Sequence, residues 1–160
     1  MRTAVLLVAG PGAETAVAVE SIARQTTAPN DVVVAGGGTL GNDAAARLEA
    51  AGARVRAVAG GDPLAALDRI AAEPGAGAIF ILEAGSVAYP QWIERMTEAC
   101  AAAGARGVSL CGYELAGPGG GMETVCAPCG SDELYGRLGV GETPPMSGCR
   151  VIAADLAACG

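Results

Sequence analysis

Ala4-Val5-Leu6-Leu7-Val8 is an unbroken apolar run, and the fold is read outward from it. A strand with one wet face alternates apolar and polar side chains. A run without alternation belongs to a strand covered on both faces, the condition of a parallel sheet between helical layers. Past Pro11-Gly12 the period changes. Val17, Val19, Ile22 and Ala23 recur near helical spacing over residues 13–25, with Glu14, Glu20 and Arg24 between them.

The same pair of patterns then repeats. Residues 32–35 read as a second strand, ended by Gly36-Gly37-Gly38, and Asn42 caps a helix over 43–51 that stops at Gly52. Residues 55–58 are a third strand, and Pro63 opens a helix reaching about Glu73, before Pro74-Gly75. Residues 78–82 are a fourth strand, 90–103 a helix ending at Gly104, and 108–115 a fifth strand interrupted at Gly112. Four strand–helix alternations predict an α/β domain, a mostly parallel sheet with helices on both faces. Past Gly117 the pattern weakens: a loop over 117–121, a strand over 122–126, a short helix over 131–138 capped by Ser131, and a last helix over 150–158.

Composition narrows the chemistry. At 160 residues and 51% hydrophobic the chain is one domain with a sizeable core, which excludes disorder. With 17 acids against 10 bases the net charge is −7, which argues against a nucleic-acid partner. No apolar run approaches the ~20 residues of a membrane span, and the start of the chain reads as a buried strand rather than a signal peptide. A cytoplasmic location follows as the expectation. There is no histidine, so imidazole triads and His-ligated zinc are excluded. Every base is arginine, so Schiff-base chemistry and a phosphate loop with its lysine are excluded too.

Several spaced motifs agree in order with one family. Residues 5–9 form an opening strand, Ser21-Ile22-Ala23-Arg24-Gln25-Thr26 ends the first helix, and Val32-Val33-Val34-Ala35-Gly36-Gly37-Gly38-Thr39 forms the second strand and its turn. Gly60-Gly61-Asp62-Pro63-Leu64-Ala65-Ala66-Leu67-Asp68, Phe80-Ile81-Leu82-Glu83-Ala84-Gly85-Ser86 and Tyr89-Pro90-Gln91-Trp92-Ile93-Glu94 follow. Over residues 3–115 this resembles the family 2 glycosyltransferases of the GT-A fold. The resemblance implies a single GT-A, Rossmann-like domain: a nucleotide-sugar-binding half over 1–115 and an irregular remnant of the acceptor half over 116–160.

The resemblance also implies where a site would lie. Pro11, Ala35, Gly36, Gly37, Asp62 and Asp68 occupy nucleotide-binding positions, and Glu83 with Ser86 occupies the place of the motif that holds Mg²⁺ or Mn²⁺ against a diphosphate. The chain departs from the family at each point. Ala35 and Gly36 stand where base-gripping acids are expected, Gly85 replaces the second metal acid, and the sequence stops at Cys159-Gly160 before the catalytic base. The expectation is a transferase-like domain without transfer activity, a binding or assembly module with a protein partner or a second copy of itself and weak nucleotide-sugar affinity. The alternative is an active metal-dependent transferase completed by a partner or a further segment.

Three signals carry a second reading at this stage. Glu83 is either a metal ligand or a solvated strand-end acid. The triple glycine either admits a diphosphate or forms a tight turn. Cys126-Ala127-Pro128-Cys129 is a thiol or zinc centre on one reading, and two of six reduced, buried cysteines on the other.

Overall fold

In this computed structural model the described residues are 2–10, 12–58, 61–103, 108–111, 113–116, 122–126 and 149–152. In chain order they form β1 (Arg2–Ala9), α1 (Ala13–Ala23), β2 (Asp31–Gly36), α2 (Asn42–Ala50), β3 (Arg54–Ala57), α3 (Pro63–Ala71), β4 (Ala76–Glu83), α4 (Trp92–Ala103), β5 (Val108–Leu110), β6 (Tyr113–Ala116), β7 (Met122–Cys126) and β8 (Cys149–Ile152). The main sheet runs β3-β2-β1-β4-β8-β5, and β6 pairs with β7 in a separate antiparallel ribbon. The first four strands in that order are parallel. β8 lies antiparallel between β4 and β5.

The apolar run in β1 behaves as its lack of alternation requires. Val5, Leu7 and Ala9 face one layer with Val32, Val34, Phe80 and Leu82, covered by α1, α2 and α4 through Val19, Ile22, Leu48, Trp92 and Ile93. Ala4 and Leu6 face the other with Val33, Ile79 and Ile81, covered by Leu67 and Ile70 of α3. Helices therefore lie on both faces, and the domain is α/β and Rossmann-like. Phe80 and Trp92 meet edge to face with ring centroids 5.2 Å apart, fixing the start of α4 against β4.

Three expectations change. Asn42 is the first residue of α2 rather than its cap: Gly41 holds the cap position, with no side-chain hydrogen bond. The predicted fifth strand is two: β5 belongs to the main sheet and β6 to the ribbon. Where a helix over 150–158 was expected, Arg150 to Ile152 belong to β8. This strand pairs with β4 on one side and β5 on the other, and residues 153–158 lie outside the described residues. Arg150 is buried in this strand, with its Nε and Nη1 lacking a hydrogen-bond partner among the described residues. The helix expected over 131–138 and the loop over 117–121 lie outside the described residues. Among the described residues no helix is long and apolar enough to cross a membrane.

The amino ends of the strands are tied by charge. Asp31, first residue of β2, is 1% exposed and accepts from Arg2 Nε and Arg54 Nε, each at 2.7 Å. Glu73 joins the cluster through Arg56 and through Arg2 Nη2 at 3.1 Å. Burial pushes the Asp31 carboxyl up, but the hydrogen bonds and charges of Arg2 and Arg54 outweigh it, so the group sits below the usual carboxylate range. Hydrogen bonding to Arg56 lowers Glu73 in the same way.

Both folded-state values are depressed, so the stabilisation is complete above the unfolded values near pH 4 and is lost as pH falls through the folded ones. Removing one partner of a buried pair costs about 3–5 kcal/mol, and less here because the arginines remain partly hydrated. Asp31→Ala is therefore expected to lower urea-unfolding stability by about 2 kcal/mol at pH 7 with an unchanged m value. That gap should close progressively below about pH 4, which a titration of unfolding midpoints checks.

Candidate functional site

In a doubly wound sheet, ligands sit beyond the carboxyl ends of the strands where the strand order reverses. Here that point lies between β1 and β4, because the chain steps outward from β1 to β2 and β3 and then returns to its other side. Ala9-Gly10 leaves β1 there and Glu83-Ala84-Gly85-Ser86 leaves β4. The turn after β2 and the approach to α3 flank them.

The loops at this edge are packed on one another, backbone to backbone. Gly36 has φ +101°, and a Cβ there would sit 2.5 Å from the Ala9 carbonyl oxygen. A Cβ on Gly38 would sit 2.2 Å from the Gly10 carbonyl oxygen, and one on Gly61 2.7 Å from that of Gly36. Hydrogen bonds run through the same contacts: Gly36 N–H donates to Gly61 C=O at 2.6 Å and Gly38 N–H to Ala9 C=O at 3.3 Å. Gly37 differs, since a Cβ there meets nothing within 4 Å. Thr15 completes the first turn, its hydroxyl donating to Gly10 C=O at 2.8 Å and accepting from Gly10 N–H at 3.1 Å.

The remaining candidate residues are spread around this edge. Ala35 is buried on the α3 side of the sheet. Asp62 caps α3, its Oδ1 accepting from Leu64 N–H at 3.0 Å, and Pro63 fills the first helical position, so this acid serves the helix. Asp68 is exposed on α3. Glu83 and Ser86 are half-buried in a turn closed by Ser86 N–H to Glu83 C=O at 3.1 Å. Pro11 and Cys129 lie outside the described residues, and Cys126 is described as the backbone end of β7.

Two further residues had no role assigned from sequence. Glu14, in the first turn of α1, reaches back over the crevice: its carboxylate lies 3.6 Å from where a Gly10 Cβ would be, and its side chain 4.0 Å from that of Gly85. Gln25 is buried and works as a bolt. Its amide donates to Tyr89 C=O at 2.8 Å and Ser21 C=O at 3.1 Å, while its Oε1 accepts from Ile93 N–H at the start of α4. Thr26 adds a backbone bond to Pro90 C=O at 2.7 Å and a hydroxyl bond to Glu94 at 2.7 Å. The Gln25-Thr26 pair thus joins the end of α1 to residues 89–94. The signal in the sequence was a polar pair at the close of an apolar helix face, which marks a buried hydrogen-bonding group but not its partners.

Of the acids expected at a metal motif, Glu83 alone stands at this turn. Mg²⁺ and Ca²⁺ take six or more oxygens, usually with several carboxylates or substrate phosphates. Among the described residues no three of His, Cys, Asp and Glu converge. Gly85, where a second metal acid would stand, has φ +83°, the conformation a type II turn reserves for glycine at its third position. A carboxylate side chain there would strain the turn that carries Glu83.

Compared in sequence, the chain matches no family model and no curated protein. The class is that of an α/β, Rossmann-like domain whose carboxyl-edge loops pack through glycine backbone contacts.

The glycines give a sharp contrast. Gly38→Ala must displace a carbonyl and is expected to cost about 2–3 kcal/mol, lowering Tm by roughly 5–10 °C. Gly37→Ala should leave stability unchanged or raise it by up to about 1 kcal/mol, because it restricts only the unfolded chain. Thermal unfolding of the two variants side by side checks this.

Proposed function

We propose that this chain is a glycosyltransferase-like domain that works as a binding or assembly module without transferase activity, holding a nucleotide sugar at most weakly. The observation that carries the reading is the Gly36 contact. The family resembled places a base-gripping acid at this position, and here any side chain would strike the Ala9 carbonyl oxygen. A glycine at φ +101° with no room for a side chain supports the loss of that acid. Gly85 supports the same reading at the metal motif, through its positive φ.

The scaffold motifs, by contrast, are in use. Gln25, Thr26 and Trp92 occupy positions quoted for the resemblance, and each makes contacts that hold α4 to α1 or to β4. Retaining those while losing the acids is what a domain kept for its surface requires, since fold and chemistry are separable. Loss of a general base alone removes roughly 10²–10⁴-fold of rate.

The test is incubation of the chain with uridine, guanosine and thymidine diphosphate sugars, with and without Mn²⁺. Release of nucleoside diphosphate should stay at the buffer rate, and Tm should move by less than about 1 °C at millimolar ligand, where saturation at 100 times Kd would add about 2.7 kcal/mol. A Mn²⁺-dependent release that Glu83→Gln abolishes would establish the alternative, an active transferase using Glu83 with Mg²⁺ or Mn²⁺.

A further inference from the structure

Two buried hydrogen-bond donors flank one aromatic ring, and neither has an acceptor among the described residues. Arg150 stands opposite Phe80 in the register of β8 and β4. Directly opposed residues of an antiparallel pair share a face, with Cβ atoms about 5 Å apart. The Arg150 side chain therefore leaves the sheet beside Phe80. Val151, the next residue, falls on the other face and packs with Ile79 on the α3 side. Phe80 in turn meets Trp92 of α4 edge to face at 5.2 Å. Arg150 and Trp92 are thus both neighbours of Phe80 in one layer.

Both residues are more than nine-tenths buried, Arg150 being 4% exposed and Trp92 8%. Arg150 Nε and Nη1 and Trp92 Nε1 donate to no atom of the described residues. The acids of the flanking elements are turned elsewhere. On α4, Glu94 accepts from Thr26 and Glu98 is exposed. Glu83 of β4 is three residues from Phe80 and so falls on the opposite face of the sheet.

The contrast with Asp31 indicates what is missing. Asp31 is the other charged residue buried to this degree among those described, and arginines hold it from two sides. Arg150 has the reverse need and no carboxylate to meet it. A guanidinium stays protonated in a protein, so it cannot escape the penalty of burial by becoming neutral. An unpaired charge in an apolar layer is among the costliest arrangements a fold can hold. An oxyanion beside it removes that cost, and the Trp92 indole N–H supplies a second, uncharged donor in the same layer.

We propose that Arg150 and Trp92 form an oxyanion site between the sheet and α4, taking a carboxylate or phosphate group. The guanidinium supplies the counter-charge and the indole N–H the second hydrogen bond. This stands apart from the reading of the carboxyl edge and needs no sugar transfer.

Trp92 is the sole tryptophan of the chain, so the emission of the intact protein reports on this site. Titration with inorganic phosphate, and separately with acetate, at an ionic strength held constant with chloride, should change that emission saturably. The anion with the lower midpoint tells a phosphate site from a carboxylate site. At ten times Kd the anion should also raise Tm by roughly 3–6 °C over the chloride control. Arg150→Met should raise the midpoint at least tenfold, the worth of a hydrogen bond to a charged group. In chloride alone it should leave Tm unchanged or higher, because it removes an uncompensated buried charge. Trp92→Phe keeps the ring, and should reduce the Tm gain. Emission and Tm that respond to neither anion beyond the chloride control overturn the proposal, as does a Tm gain that survives both variants. An Arg150→Met chain that unfolds, or loses Tm in chloride, overturns it too, since that is the result expected if an acid of the chain itself holds the guanidinium.

Discussion

The arrangement depends on β1 being paired on both sides by parallel neighbours. Residues 4–9 register with 31–36 of β2, and residues 3–8 with 78–83 of β4, so this strand has no free edge. With Leu6 and Leu7 both fully buried it also has no wet face. A strand so enclosed must be apolar throughout, must be reached by crossovers on both faces, and must place its carboxyl end where the strand order reverses. The location of the crevice is thus a consequence of β1, before any side chain at the edge is considered.

The two ends of the sheet solve opposite problems. At the amino end, polar backbone and charge are buried together, and three arginines converge on Asp31 and Glu73 to satisfy them. At the carboxyl end, the loops pack so closely that carbonyl oxygens stand where side chains on Gly36, Gly38 and Gly61 would be. Of the three glycines after β2, Gly36 and Gly38 pack against the protein's own backbone and Gly37 stands open. Among the described residues, three of the four exposed large apolar side chains, Val17, Val87 and Tyr89, line one groove beside α1.

Much of the parallel half was legible in the sequence because its signals are local and strong. The apolar run of β1 and the Pro63 start of α3 each follow from one short stretch. Other features were not legible, for identifiable reasons. β8 is a strand because β4 and β5 offer it two edges, which no local propensity encodes. Asp62 reads equally as a ligand or a cap until its Oδ1 is seen on the Leu64 amide. Gly36, Gly37 and Gly38 are indistinguishable as letters, yet two are obligatory for packing and one is open to solvent space. Steric need of this kind comes from chain segments distant in sequence.

Through Gly36 and Gly38 the carboxyl edge is a packed part of the fold. Amide hydrogen exchange at Gly36 and Gly38 tests it most directly, because those N–H groups bond to Gly61 and Ala9 across the edge. The account predicts that both amides exchange as slowly as the core amides of β1 and β2, with no change when a nucleoside diphosphate is added. Exchange at the rate of an open loop, with protection appearing only on addition of the nucleotide, would contradict it and restore this edge as a working binding site.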